Sequence, residues 1–128
     1  MSTPRVLIVE DDPMVAMDLE WIVLAAMAAE VVVVASASGA RAAMAERLDF
    51  ALLDIEVTDG KTFEIARELQ RREAPFVFVS GARPEALPPD LCGAPFISKP
   101  FDRREIERFC VNNRRKALSR SSEIATSL

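Results

Sequence analysis

Five short apolar runs, separated by segments with helical periodicity, restrict what this chain can fold into. The runs cover residues 5–9, 30–35, 50–54, 75–79 and 96–98. Continuous hydrophobicity over so short a length is typical of parallel strands covered on both faces, and we expect this of the valine-rich second run in particular. Strands alternating with helices predict a doubly wound α/β fold. The expected five-stranded parallel sheet has the flavodoxin-like order 2-1-3-4-5, because right-handed crossovers leave few other topologies.

Capping residues, turn residues and prolines predict the structure of the segments between these strands. Asp12 is expected to begin the first helix, and Ser36 to cap an alanine-rich helix that reaches Leu48. Residues 55–60 are predicted to form a loop. The prolines in the segment 83–95 predict a fourth helix that is short or irregular.

The first helix carries a second apolar stripe beside its main apolar face. Met17, Trp21 and Leu24 form this stripe at helical spacing. We expect a loop to cover it, and the alternative is a surface for self-association or for a partner protein.

The length of 128 residues suits one domain with a single hydrophobic core. We expect a domain over residues 1–118, followed by a disordered tail at 119–128, because that serine-rich end has few large apolar residues. The net charge of -4 offers no electrostatic basis for binding nucleic acid.

Composition also excludes several kinds of site and location. The chain contains no histidine, which excludes histidine acid–base chemistry and disfavours zinc binding. The N-terminus has no signal-peptide pattern, and the apolar runs are shorter than the ~20 residues that a membrane span needs. We therefore expect a cytoplasmic protein without a membrane partner, with Cys92 and Cys110 reduced.

Polar residues at the ends of four strands are expected to meet at one edge of the sheet. They are Glu10, Asp11, Asp54, Ser80 and Lys99. Ligands bind at the carboxyl edge of such sheets. Clustered carboxylates repel one another unless a cation is present, and oxygen ligands suit Mg²⁺. A metal held by carboxylates, a backbone carbonyl and water would leave room for phosphoryl oxygens.

Asp54 is the candidate reactive group of this cluster. Its carboxylate could attack phosphorus and form an acyl phosphate. Mg²⁺ and Lys99 would neutralise charge on the phosphoryl oxygens, and the Ser80 hydroxyl could donate to another oxygen. On a less specific interpretation, Asp54 simply ends a strand or caps the next helix.

These motifs resemble the response regulator receiver domain of two-component signalling, from Arg5 to Leu118. The matching motifs are Val9-Glu10-Asp11-Asp12, Asp54, Ser80-Gly81 and Lys99-Pro100-Phe101. The stretch 75–81 also resembles the signature of the FATGUY receivers, a group known mostly from alphaproteobacteria, in which the fourth helix region is atypical.

The resemblance implies a role for each candidate residue. Asp54 would be the phosphoacceptor, and Glu10 and Asp11 would hold Mg²⁺, with Asp11 preferred as the direct ligand. Glu56 would contribute its backbone carbonyl, while its side chain is expected to be solvated. Ser80 would be the switch hydroxyl, and the bond between Lys99 and the following proline would be cis.

The resemblance also implies a single-domain response regulator. Such a protein takes a phosphoryl group from a histidine kinase or phosphotransfer protein and signals to an unknown downstream protein through direct contacts. It is not an enzyme beyond phosphorylating and dephosphorylating itself, and we expect a monomer or weak homodimer. Two alternatives remain open. Residues 54–58 resemble the nucleophile motif of haloacid dehalogenase-like phosphatases, and a receiver-like docking module would not be phosphorylated at all.

Overall fold

The computed structural model describes residues 3–114. The predicted domain end at residue 118 and the predicted disordered tail at 119–128 lie outside the described residues. None of the helices within 3–114 has the length and apolar character needed to cross a membrane.

A five-stranded parallel sheet forms the centre of the fold. The strands of the chain are β1 (Arg5–Val9), β2 (Glu30–Val34), β3 (Phe50–Leu53), β4 (Glu56–Val57), β5 (Gly60–Lys61), β6 (Phe76–Ser80) and β7 (Phe96–Ser98). The central sheet has the order β2-β1-β3-β6-β7, whereas β4 and β5 form a separate antiparallel hairpin. This order confirms the predicted topology, in which the third, fourth and fifth strands correspond to β3, β6 and β7.

Helices cover both faces of the sheet. They are α1 (Pro13–Ala26), α2 (Ala37–Ala43), α3 (Phe63–Arg71) and α4, which covers 103–114 within the described residues. Between β6 and β7 the chain makes two 3₁₀ turns, Pro84–Ala86 and Pro89–Leu91. Proline at the start of each turn is compatible with a short helical turn but not with a continuous helix, so the predicted irregular segment is confirmed.

Alternating side chains of each central strand feed two apolar clusters, one on each face. From β1, Leu7 and Val9 enter one cluster, while Val6 and Ile8 enter the other. The first cluster packs against α2 and α3, and the second against α1 and α4. The burial of both faces explains why the central strands appear in the sequence as unbroken apolar runs.

Two predictions about individual elements were wrong. Strand β2 is not covered on both faces, because it lies at the edge of the sheet and leaves Val33 exposed. Helix α2 ends at Ala43, well before Leu48. At its end, the Ala43 and Met44 carbonyls accept hydrogen bonds from the guanidinium groups of Arg5 and Arg72 at 2.8 and 2.6 Å, so they need no N–H from a further helical turn.

The second apolar stripe of α1 is exposed, so the prediction that a loop covers it was wrong. Met17, Trp21 and Leu24 are 58%, 73% and 49% exposed. They project outward because the opposite face of α1, with Leu19 and Val23, packs on the sheet. The stripe is therefore an apolar surface on the outside of the folded domain.

The two cysteines should differ sharply in reactivity. Cys92 is exposed, whereas Cys110 is fully buried. Burial, assisted by the nearby charge of Glu107, raises the pKa of the Cys110 thiol to about 12. Compared with a thiol at the ordinary value of 9.0, the thiolate fraction near neutral pH falls roughly a thousandfold.

We expect a thiol-specific reagent to label one cysteine per native chain quickly, and both after denaturation. Mass spectrometry of the labelled protein measures the count. In the control variant Cys92→Ser, rapid labelling of the native protein should disappear. Rapid labelling of Cys110 in that variant would contradict the burial described above.

Candidate metal centre

The candidate residues come together because β1 and β3 are paired in register. Val9 lies opposite Leu53, so the residues that follow them, Glu10 and Asp54, leave the sheet side by side. The Asp54 backbone N–H donates to the Val9 carbonyl at 2.9 Å, which extends this pairing to Asp54 itself. The site thus lies at the carboxyl edge of the central strands, as expected for a doubly wound fold.

Three carboxylates converge at this edge. One oxygen from each of Glu10, Asp11 and Asp54 lies within 4.8 Å of the other two. Glu10 is buried, Asp54 is half-buried and Asp11 is exposed. Like charges this close repel one another, and a cation relieves the repulsion. The donors are all carboxylate oxygens, so these residues fit a hard divalent cation such as Mg²⁺.

Lys99 supplies a positive charge to the same cluster. Its Nζ lies 2.6 Å from Glu10 Oε1 and 3.1 Å from Asp54 Oδ2. Burial works to lower the pKa of Lys99, but the bonds to Glu10 and Asp54 outweigh it and raise that pKa. Lys99 therefore stays charged between the two carboxylates. The Lys99–Pro100 peptide bond is cis, as the resemblance implied.

The other oxygens of the Glu10 and Asp54 carboxylates accept hydrogen bonds from backbone N–H groups. Glu10 Oε2 accepts from Asp12 at 3.0 Å, and Asp54 Oδ1 accepts from Ile55 at 2.8 Å. Burial raises the pKa of Glu10, against the hydrogen bonds from Lys99 and the Asp12 backbone. The carboxylates of Glu10 and Asp54 are thus each held through both of their oxygens.

Asp12 has the helix-starting role predicted for it. Its Oδ1 accepts hydrogen bonds from the backbone N–H groups of Met14 and Val15, and Pro13 begins the helix. This side chain therefore serves α1, although it follows directly after the acidic pair.

Ser80 lies at the end of β6, in the same sheet. Its side chain is buried and its hydroxyl accepts a hydrogen bond from the Ala82 N–H at 3.2 Å. Accepting this bond does not use the hydroxyl hydrogen, so Ser80 can still donate to a ligand.

Glu56 lies in β4, and the prediction of a plain loop over residues 55–60 was wrong. The segment folds into the β4–β5 hairpin, with Val57 opposite Gly60. The Glu56 side chain is exposed and paired with Lys61, which confirms the expected solvated side chain. The expected role of its backbone carbonyl as a metal ligand stays a prediction.

One functional candidate was missed by sequence reasoning. Thr62 is fully buried and its hydroxyl donates to the Asp54 backbone carbonyl at 2.5 Å. It stands at the start of α3 but makes no side-chain capping bond there. A threonine at a helix start normally predicts a cap, so the available signal pointed to a different role.

Comparison with known proteins identifies the family. A profile described as the response regulator receiver domain matches residues 6–109. The chain belongs to the response regulator receiver domain family. It is therefore a receiver domain of two-component signalling. No curated protein matches the chain significantly.

Solved structures share the receiver fold. A CheY-like receiver domain from Methylobacillus flagellatus is 24% identical, with a TM-score of 0.72 over 88% of this chain and 99% of that one. The receiver domain of PhyR from Erythrobacter litoralis is 24% identical, with a TM-score of 0.74 over 88% and 91%. The regulator TrrA from Thermotoga maritima, solved with Mg²⁺ and BeF, is 18% identical, with a TM-score of 0.75 over 86% and 98%.

The ion pair of Lys99 with Glu10 generates a stability prediction. In metal-free buffer, Lys99→Met should lower the free energy of unfolding by about 1–3 kcal/mol, because it leaves the buried Glu10 carboxylate without its charged partner. Urea denaturation measures the loss. The control is Lys61→Met, which breaks an exposed ion pair and should change stability by no more than about 0.5 kcal/mol.

The double variant Lys99→Met/Glu10→Gln tests whether the loss of stability comes from the unpaired Glu10 charge or simply from loss of the lysine side chain. Because Gln carries no charge, the double variant should be more stable than Lys99→Met alone. Equal stability of the two variants would contradict the assignment.

Proposed function

We propose that this receiver domain accepts a phosphoryl group on Asp54 from a histidine kinase or phosphotransfer protein. The observation that carries the proposal is the contact of Asp54 with Lys99 beside two further carboxylates, Glu10 and Asp11. A partly buried lysine and a carboxylate cluster at one strand edge suit the transfer of a highly charged group.

Glu10, Asp11, Asp54 and the backbone carbonyl of Glu56 would hold Mg²⁺, with Asp11 preferred over Glu10 as the direct ligand. The carboxylate donor set and the exposure of Asp11 support this assignment. Bound Mg²⁺ would supply positive charge to the phosphoryl oxygens.

Three side chains then have separate roles in the transfer of the phosphoryl group. An Asp54 oxygen attacks the phosphorus of a phosphohistidine, so that an O–P bond forms as the P–N bond breaks, and the histidine nitrogen leaves with the bonding electrons. Lys99 moves from Asp54 Oδ2 to a phosphoryl oxygen. The Ser80 hydroxyl, whose hydrogen is available, donates to another.

We further propose that the modified domain acts as a single-domain regulator in the cytoplasm, as a monomer or weak homodimer. It signals through contacts with a downstream protein, without nucleic acid or a membrane as partner. The exposed stripe of Met17, Trp21 and Leu24 supports protein contacts of this kind. Receiver domains normally serve signalling rather than catalysis, and the proposed activity is limited to self-phosphorylation and self-dephosphorylation.

Two other functions compete with this one. In a haloacid dehalogenase-like phosphatase the nucleophile follows the first strand, whereas Asp54 follows β3. Membership of the receiver family also weighs against that function. A docking module that keeps the fold without being phosphorylated could retain Lys99 for stability alone, because the lysine neutralises the buried Glu10 carboxylate. Experiment separates such a module from a phosphoacceptor.

Phosphorylation should depend on Asp54 and on Mg²⁺. With acetyl phosphate and Mg²⁺, intact-mass spectrometry should show the addition of one phosphoryl group to the wild type and none to Asp54→Asn or to the wild type with a chelator. Asp12→Asn is the matched control, because asparagine also caps a helix and this acid lies outside the site.

The control should be phosphorylated like the wild type. A wild type that stays unmodified with acetyl phosphate and with phosphorylated histidine proteins would favour the docking module. Steady hydrolysis of a phosphomonoester would favour the phosphatase.

A further inference from the structure

The β4–β5 hairpin directly follows Asp54 and is attached to the rest of the domain at two places. Thr62 holds its base against the Asp54–Ile55 segment. Thr58 and Asp59 hold its tip against the corner between β2 and α2. The two attachments use different residues and lie at opposite ends of the hairpin.

At the base, the buried Thr62 hydroxyl acts on the peptide group next to the reactive side chain. It donates to the Asp54 carbonyl at 2.5 Å. That carbonyl and the Ile55 N–H belong to one planar peptide unit, so fixing one fixes the other. The Ile55 N–H in turn donates to Asp54 Oδ1 at 2.8 Å. Thr62 therefore reaches the reactive carboxylate through a single rigid group.

The backbone of Thr62 also sets the direction of the Glu56 carbonyl. Its N–H donates to the Ile55 carbonyl at 3.0 Å, so Ile55 and Thr62 occupy a bonded position of the antiparallel ladder, although the Ile55 N–H itself binds Asp54. Bonded and non-bonded pairs alternate in such a ladder, so the adjacent pair, Glu56 and Lys61, is non-bonded. The Glu56 carbonyl consequently points away from β5.

At the tip, the hairpin is held without any help from Thr62. The Asp59 carboxylate accepts from the backbone N–H groups of Ala37 and Ser38 at 2.7 and 3.0 Å, and these bonds lower the pKa of Asp59. The Thr58 hydroxyl donates to the Ala35 carbonyl at 3.1 Å. Removing the Thr62 hydroxyl should therefore change the orientation of the base while the hairpin stays folded.

We propose that Thr62 is a positioning residue for the phosphoacceptor site, whose buried hydroxyl orients the Asp54 carboxylate through the Asp54–Ile55 peptide group. The inference rests on the proposed function, because it concerns the same carboxylate. Thr62 itself touches no reacting atom. Its effect should appear in metal binding and in the rate of phosphorylation rather than in the fold.

The test compares Thr62→Val, which removes the hydroxyl but keeps the shape, with Thr62→Ser, which keeps the hydroxyl. The probe is Mg²⁺ alone, titrated while the amide signals of Ile55 and Glu56 are followed by NMR. The valine variant should bind Mg²⁺ about fivefold more weakly and react with acetyl phosphate about tenfold more slowly, since both depend on one oriented carboxylate. The serine variant should stay within about twofold of the wild type.

Thr58→Val is the matched control, because it also removes a threonine hydroxyl that donates to a backbone carbonyl, but at the tip of the hairpin. It should leave Mg²⁺ affinity within about twofold of the wild type. Wild-type affinity in Thr62→Val would overturn the proposal. Equal weakening in the serine and valine variants would also overturn it, because packing of the methyl group would then be responsible.

If Thr62→Val fails to fold, Thr62→Ala takes its place under the same criteria. The wild-type measurements separate this proposal from the proposed function. A wild type that is not phosphorylated refutes the phosphoacceptor function. A phosphorylated wild type with an unaffected valine variant refutes only the role of Thr62.

Discussion

The parallel, in-register pairing of β1 with β3 brings two carboxylates to neighbouring strand ends, where they repel each other. Val9 and Leu53 are opposite partners, so Glu10 and Asp54 leave the sheet together. Lys99 reaches both from the end of β7 and offsets this repulsion in the absence of a metal. The third carboxylate of the cluster, that of Asp11, is exposed and lies on the solvent side of the site.

The central sheet could be predicted because burial on both faces leaves a clear pattern in the sequence. The same pattern does not reveal where a strand lies in the sheet. The valines of β2 resemble those of a central strand, yet Val33 is exposed at the edge. Likewise, helical spacing predicts which side chains share a face of α1, but what covers Trp21 depends on tertiary packing. The finer resemblance to the FATGUY receivers stays a prediction.

Topology explains why the residues of the site could be predicted from the sequence, whereas the hairpin and Thr62 beside them could not. Once the strand order is known, residues that follow the central strands lie at one edge of the sheet, so Asp54 and Lys99 could be placed in one site from sequence. The hairpin after Asp54 has strands of two residues, which are too short to show an alternating pattern. Thr62 has the appearance of a helix cap, and the competition between capping α3 and binding the Asp54 carbonyl is decided only in the folded chain.

The segment between Ser80 and β7 differs from the hairpin in how it is held. Its two 3₁₀ turns lack the hydrogen-bond ladder of an α-helix, so their position depends on side chains. Leu87 and Leu91 are buried in the core, and Arg67 of α3 binds the Asp90 carboxylate with two nitrogens at 2.7 and 3.1 Å. A segment held by a few side chains can shift at a lower free-energy cost than a regular helix. A movement of Ser80 should therefore displace these turns more readily than it displaces the β4–β5 hairpin, which is fixed at both ends.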